Sequence, residues 1–376
     1  MVKSLANHTM NKLERFRAAI AGEEVDHPPA SVWLHFASEH LSGEETARLH
    51  LRYFTEYDWD FLKVMNDYRY PLPAGLETVA TEADLRRFEP LSLAEEPFAR
   101  QLTCIRYLRQ ELGPDVPIVE TIFSPLQTVV RAAGAAVWPV ILAHPQAGLA
   151  MLAAVTRTLV AYVAACREAG ATGIFYSING ASRVPAPGTD SAGSGTASAG
   201  ARKAGRSEAP SPSRTTAEQF ERFIAPFDRE ILRAAGQAGL VRIGHVHGVD
   251  LDFDRVAGYP VEAFNWSHHH TAPTLAEVRE RTGKAVIGGI DELVISYQSL
   301  PEVEASIRAA HTEWEGGRGN STGGFLVGPG CTVPPDTPRR TLHRIREVTL
   351  SGASGPSGAS EPFGTAKTLA KGGSVV

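Results

Sequence analysis

Short apolar stretches alternate with longer amphipathic stretches along the chain. Eight of the short stretches are rich in β-branched and aromatic residues and are bounded by glycine, proline or polar residues, a pattern typical of buried strands. They span residues 28–36, 59–66, 117–123, 173–177, 240–247, 261–267, 285–291 and 324–330. Between them, apolar positions recur at helical spacing, for example over residues 217–239. This alternation predicts an α/β protein with a single (β/α)8 TIM barrel. A doubly wound open sheet is the alternative, but no glycine-rich phosphate loop follows the first predicted strand.

Two stretches do not follow this pattern. Residues 182–216 and 351–376 consist largely of serine, glycine, alanine and proline and contain little that could be buried. Such composition predicts a disordered insertion and a disordered tail. The barrel is then expected in two parts, residues 1–181 with strands one to four and residues 217–350 with strands five to eight.

Composition narrows the cellular setting. The chain has 376 residues and a formal net charge of -5, without a basic stripe, so a nucleic-acid partner is not expected. No continuous apolar run reaches the roughly 18 residues needed to span a bilayer, and the first residues lack the apolar core of a signal peptide. Three scattered cysteines fit a reducing compartment. We therefore expect a cytoplasmic protein without membrane contact.

The carboxyl ends of all strands meet on one face of such a barrel, where active sites form. We predict catalytic roles for Asp67, Glu120 and Tyr176 at these ends. Asp67 and Glu120 could instead have a structural role as ion-pair partners of a basic residue such as Lys63 or Arg69. Asp291 could instead be the N-cap of a helix. The residues predicted to bind a small-molecule substrate are His35, Asn179, Asn265, His268 and Asp291.

The sequence "GHVHG" ends the fifth predicted strand, and "GPGC" ends the eighth. His245 and His247 point to the same side because side chains alternate along a strand. Cys331 is expected on the same barrel face. Two imidazole nitrogens and one thiolate sulfur suit zinc and leave a fourth position for water or substrate, which is typical of a catalytic site. The sequence therefore predicts Zn²⁺ bound by His245, His247 and Cys331.

Several segments together resemble the uroporphyrinogen decarboxylase superfamily. They are "NKLERFRAAIAGEEVDHPPASVWLHF", "YDWDFLKVMNDYRYPLP", "GHVHG", "GKAVIGGID" and "GPGCTVPPDTPRRTLHRI", which run in order from about residue 11 to residue 350. The resemblance implies a (β/α)8 barrel and is compatible with a homodimer. It also implies one of two chemistries, decarboxylation or methyl transfer.

The resemblance favours the methyltransferase branch. True uroporphyrinogen decarboxylases have an arginine-rich segment after the first strand, where this chain has "VWLHFASEH" without arginine. The zinc-dependent, cobalamin-linked methyltransferases have His-x-Cys-Gly at the fifth strand and Pro-Gly-Cys at the eighth. His245 and Cys331 match that branch, whereas His247 stands in place of its first cysteine. The implied reaction moves a methyl group between a corrinoid or a methylated small molecule and a thiol-type acceptor. No corrinoid domain is visible in this chain, so a separate corrinoid protein would supply that cofactor.

Two alternatives remain at this point. One is a cofactor-free decarboxylase of a porphyrinogen or a smaller carboxylic acid, with Asp67 at its centre, since Asp67 resembles the pyrrole-binding aspartate of true uroporphyrinogen decarboxylases. The other is a barrel that binds a metal or a corrinoid and only delivers it to a partner.

Overall fold

A computed structural model describes residues 9–184, 211–316 and 323–351. Its centre is a curled sheet of seven parallel strands, ordered β1 to β7 as in the chain. The strands are Leu62–Val64 (β1), Ile118–Phe123 (β2), Gly173–Ile178 (β3), Val241–Val246 (β4), Ala263–Asn265 (β5), Ala285–Ile290 (β6) and Phe325–Pro329 (β7). This order confirms the predicted α/β class with TIM-like topology, because each strand pairs in parallel with the next.

Helices connect successive strands and cover the outside of the sheet. In the described ranges they are Lys12–Ala21 (α1), Gly43–Tyr57 (α2), Glu82–Leu85 (α3), Glu96–Leu112 (α4), Pro125–Ala133 (α5), Val137–Ala143 (α6), Pro145–Ala169 (α7), Ala217–Phe223 (α8), Ala225–Gln237 (α9), Asp254–Ala257 (α10), Leu275–Thr282 (α11), Leu300–Glu315 (α12) and Arg339–Leu350 (α13). α1 lies at the amino-terminal ends of the strands, where Gly324 N donates to Ala19 O at 2.9 Å. The opposite face, at the carboxyl ends of the strands, is formed by loops.

The first predicted strand is not a full strand. Within residues 28–36, Ala30 forms only an isolated parallel bridge with Val327 of β7. Pro28 and Pro29 have no amide hydrogen for a ladder, and Ala30 N donates instead to the Asp60 side chain, Oδ2, at 2.9 Å. Asp60 N donates to Ala30 O at 2.9 Å. This segment therefore takes the eighth position, between β7 and the residues that precede β1.

The two faces of the sheet are buried in different surroundings. Alternate residues such as Val119, Phe175 and Ile243 pack inside the barrel, together with side chains of α1. Their neighbours, such as Ile118 and Ile174, pack outward against the helices. Each strand thus has an inner and an outer row of side chains, and the row decides whether a polar residue can reach the site.

The helix predicted over residues 217–239 is two helices. α8 ends and α9 begins around Ile224, and a proline occupies the first turn of α9. Proline lacks the amide hydrogen that would continue the preceding helix, so the chain bends there.

The predicted insertion is partly ordered at its edges. Thr215 Oγ1 donates to Gly180 O at 2.8 Å, and Thr216 caps α8. The rest of the predicted insertion, residues 185–210, lies outside the described residues, as does the predicted tail from residue 352 onward.

α7 is an apolar helix in the outer layer. Among the described residues it is the one helix long and apolar enough to cross a membrane, although no run of that kind was expected from the sequence. It packs against α4 and α9 within the barrel shell. Its apolar side chains therefore serve the core.

Candidate active site

His245 lies in the inner row near the carboxyl end of β4. It is in register with Ser177 of β3 and Asn265 of β5, and its ring stacks on Phe175 with centroids 5.1 Å apart. Asn265 Nδ2 donates to Ile287 O at 2.9 Å and to Pro329 O at 3.0 Å. Asn265 Oδ1 must therefore accept from His245 Nδ1, at 2.7 Å. This leaves Nε2 as the ring nitrogen of His245 that can face a metal, an arrangement typical of a metal-binding histidine.

Cys331 follows β7 and is partly exposed, whereas Cys104 and Cys166 are buried. Its thiol lies near the side chains of His245 and His247, whose ring centroids are 5.8 Å apart. Burial opposes ionisation of the thiol, but the two imidazoles outweigh it and lower the pKa of Cys331 to about 4. The Cys331 side chain in turn raises the pKa of His247. The structure thus brings the three predicted metal ligands together as a thiolate between two imidazoles.

Glu292 supports the loop that carries Cys331, although no role was predicted for it from the sequence. Gly330 N donates to Glu292 Oε2 at 3.1 Å, and the Ser267 hydroxyl donates to Glu292 Oε1. A Cβ atom on Gly330 would lie 2.6 Å from Ser267 Cα, so only glycine fits there. Burial raises the pKa of Glu292. The one sign in the sequence that Glu292 could belong to the site is its position directly after Asp291, at the carboxyl end of a predicted strand.

Lys63 is a second residue whose place could not be read from the sequence. It lies in the inner row of β1, and its Nζ is 4.5 Å from the ring centroid of Phe175 and 5.5 Å from that of Trp33. Burial lowers the pKa of Lys63 to about 7. Within the described ranges it forms no ion pair, so it is not the partner of Asp67 or Glu120.

Asp67 and His35 form a separate pair after β1. His35 Nδ1 is 2.7 Å from Asp67 Oδ1, and Ser38 donates to Asp67 Oδ2 from its backbone N at 3.1 Å and from its hydroxyl at 3.0 Å. Burial opposes ionisation of Asp67, but these partners outweigh it and hold the pKa well below its usual range. Asp67 is therefore an ionised carboxylate at the barrel mouth.

Glu120 and Tyr176 are not beside the histidines. Both belong to the outer row, which explains why the catalytic roles predicted for them find no support in the geometry. Glu120 accepts hydrogen bonds from Gln101, Tyr162 and Asn66 at 2.9, 2.9 and 3.1 Å. The Tyr176 hydroxyl donates to Asp228 of α9 at 2.6 Å. These contacts join the sheet to its helices.

The other residues predicted to bind substrate lie around the same face. Asn179 is buried just after β3, with Nδ2 3.4 Å from Ser177 Oγ. His268 Nε2 accepts from Gly289 N at 2.9 Å, and burial lowers its pKa to about 3. Asp291 Oδ1 is 2.7 Å from His270 Nε2 and accepts from Leu293 N at 3.1 Å. His268 is thus bound to β6, Asp291 to the loop that follows β6, and Asn179 to the end of β3.

The donor types of His245, His247 and Cys331 fit zinc, because one thiolate and two neutral imidazoles are common zinc ligands. Across the three described ranges, however, no three or more histidine, cysteine, aspartate or glutamate side chains are placed so that they could hold one metal ion. Zinc binding would therefore require these three side chains to move closer to a common centre and to lose any proton on the donor atoms.

A parallel α/β barrel with ionisable side chains at the carboxyl ends of its strands is the architecture of a barrel enzyme. The family model described as "Uroporphyrinogen decarboxylase (URO-D)" matches residues 67–182 and 198–349. The chain belongs to the URO-D family. No protein of curated function matches it in sequence.

Two solved structures show the same fold. A methyltransferase from Methanosarcina mazei has a TM-score of 0.65 and 16% identity, and the match covers 91% of this chain and 99% of that one. A B12-independent methionine synthase from Shewanella sp. W3-18-1 has a TM-score of 0.51 and 13% identity, with 87% and 92% of the two chains covered. At these identities the similarity establishes the barrel fold and does not transfer a reaction.

Proposed function

We propose that the protein is a zinc-dependent methyltransferase that moves a methyl group between a corrinoid or a methylated small molecule and a thiol-type acceptor. The observation that carries the proposal is the meeting of His245, His247 and Cys331 at the carboxyl face of the barrel. Membership of the URO-D family and the fold shared with a methyltransferase support the choice of reaction.

Each side chain around the cluster has a defined task in this proposal. His245, His247 and Cys331 would hold the metal. Asn265 binds Nδ1 of His245 and so leaves Nε2 to face the metal. Glu292 fixes the backbone of Gly330 and so the position of Cys331. Zinc, when bound, would lower the pKa of an acceptor and so make its reactive anion available near neutral pH.

His247 distinguishes this chain from the methyltransferase branch, which has a cysteine there. A neutral imidazole in place of a thiolate removes one negative charge from the ligand set. The bound metal would then be a stronger Lewis acid. An acceptor less acidic than a simple thiol is then within reach of activation. A corrinoid donor would come from a separate protein.

The direct test is the zinc content of the purified protein, measured by elemental analysis. We expect about one zinc per chain in the wild type and a loss in Cys331→Ser and His247→Ala. His270→Ala is the matched control, because His270 is a histidine on the same face that binds Asp291 instead of the cluster. Wild-type protein that stays metal-free after incubation with zinc would refute the proposal.

A second candidate function, cofactor-free decarboxylation, is favoured by the ionised Asp67 at the barrel mouth. Its substrate would be a porphyrinogen or a smaller carboxylic acid. Decarboxylation that survives a zinc chelator and is abolished by Asp67→Asn would establish this function in place of methyl transfer.

A further inference from the structure

We infer that an open cleft beside Asp67 binds one anionic group, a carboxylate or a phosphate, of the substrate. The cleft has a volume of about 320 Å³ and is lined by His35, Ala37, Glu39, Asp67, Arg69 and Arg131. We call it the arginine cleft. Arg69 follows β1 and Arg131 lies in α5, so the topology brings two guanidinium groups to one side of the barrel mouth.

Arg131 is held in place before any ligand arrives. Its guanidinium carbon is 3.9 Å from the ring centroid of Phe123, and Nη2 donates to Asn66 O at 3.2 Å. Stacking fixes the plane of the guanidinium, and the single backbone contact leaves further N–H groups to donate. A fixed guanidinium fork is suited to a carboxylate or a phosphate, which it can bind through two parallel hydrogen bonds.

The carboxylates of the arginine cleft act on Arg131 from a distance and form no direct ion pair with its arginines among the described residues. Both oxygens of Asp67 already accept from His35 and Ser38. Glu39 lines the cleft, yet throughout the described residues neither Arg69 nor Arg131 forms an ion pair with any carboxylate. Two guanidinium groups that face one cleft without a carboxylate partner leave a place for an anion from solution.

The arginine cleft is linked through the backbone to the loop of a predicted metal ligand. Val333 N donates to Trp33 O at 3.0 Å, and this bond joins the loop of Cys331 to the segment of His35. Arg69 and Arg131 also border a narrower hollow with apolar and aromatic walls, among them Phe98, Phe123 and Leu159. An anion between the arginines would therefore anchor an organic substrate at the barrel face that carries the cluster. Assigning this anion to the substrate rests on the proposed function, whereas its binding does not.

The test is titration calorimetry with two probes, benzoate and inorganic phosphate, and with benzamide as the neutral analogue. We expect benzoate or phosphate to bind the wild type and benzamide not to bind. In Arg131→Met and in Arg69→Met, binding should weaken roughly tenfold or more, because each change removes charged hydrogen-bond donors. Arg100→Met is the matched control, since Arg100 is a nearby arginine that already pairs with Glu96.

Arg131→Lys separates the contribution of the charge from that of the guanidinium fork. This variant keeps the charge but not the fork, so we expect its affinity to lie between those of the wild type and Arg131→Met. Equal binding of benzoate and benzamide, no binding of either anion to the wild type, or unchanged affinity in both methionine variants would overturn the inference. Zinc retained without anion binding would refute the arginine cleft alone, and anion binding by a protein that takes up no zinc would refute the methyltransferase alone.

Discussion

Two groups of polar side chains lie on opposite faces of the same sheet. The inner cluster consists of His245, His247, Asn265 and Cys331, at the open face of the barrel. The outer cluster consists of Tyr176, Asp228 and Tyr259, between the sheet and its helices. Both tyrosine hydroxyls donate to Asp228, at 2.6 and 3.2 Å.

The two clusters differ in what they leave free. In the outer cluster each Asp228 oxygen accepts from one tyrosine, and all three residues are buried, so nothing is offered to a ligand. In the inner cluster Asn265 binds only one nitrogen of His245, and Cys331, beside the histidines, is partly exposed. Burial of polar groups alone therefore does not mark a site; a reactive group exposed at the open face does.

The largest expected effect is in the outer cluster. Asp228→Ala removes the acceptor of two buried hydroxyls and should lower the free energy of unfolding by about 3 kcal/mol, without loss of zinc. Chemical denaturation and elemental analysis would measure the two quantities. Asp228→Asn is the milder control, because it retains one carbonyl acceptor. Loss of zinc at unchanged stability would reverse the assignment of the two clusters.

The next effect is a pH dependence that belongs to the outer row. Burial raises the pKa of Glu120 from its ordinary 4.5 to about 7. The folded chain then keeps a proton that the unfolded chain has lost, so stability falls as pH rises from about 4.5 to about 7 and levels off above. Glu120→Gln should remove roughly 2 kcal/mol of this dependence.

Denaturation at about pH 5 and about pH 8 would measure this difference. Gln101 Oε1 has no hydrogen-bond partner in the part of the chain that the structure describes, so a flip of that amide gives the new glutamine side chain an acceptor and the variant should fold. Asp228 contributes a change of the same sign, since burial raises its pKa to about 7. An identical pH profile in wild type and Glu120→Gln would show that Glu120 is ionised in the folded state throughout.

The smallest effect is in the inner cluster. Glu292→Gln replaces a charged acceptor for Gly330 N with a neutral one, and we expect zinc affinity to fall about tenfold, or about 1.4 kcal/mol, with little change in the free energy of unfolding. Competition with a zinc chelator would measure the affinity. Asp291→Asn, one residue away, is the control and should bind zinc normally. Equal affinity in wild type and Glu292→Gln would mean that the Cys331 loop is held by packing around Gly330 alone.

The sequence was a good guide to the strands and a poor guide to their faces. The alternation of apolar and amphipathic stretches predicted every strand from β1 to β7 within a few residues. In β2, however, Ile118, Val119 and Ile122 are all buried. When both faces of a parallel strand are apolar, the pattern does not tell which row is inside, so Glu120 could not be assigned to the helix side.

The inner residues also show which part of the site a local sequence pattern can predict and which part it cannot. His245 and His247 could be paired because two positions apart on one strand share a side at any orientation. Lys63 and Glu292 depend on contacts between distant strands, with Phe175 and Gly330 respectively. No local pattern encodes such contacts, because they exist only once the barrel is curled.

The bridge between Ala30 and Val327 also has a consequence for the order of folding. It joins residues near the two ends of the described chain, as does the bond from Val333 to Trp33. Closing so long a loop costs much chain entropy, so we expect these contacts to form late. Cys331 lies beside them and reaches the histidines only after the ends have met. The rate of zinc uptake during refolding would therefore report the rate at which the barrel closes.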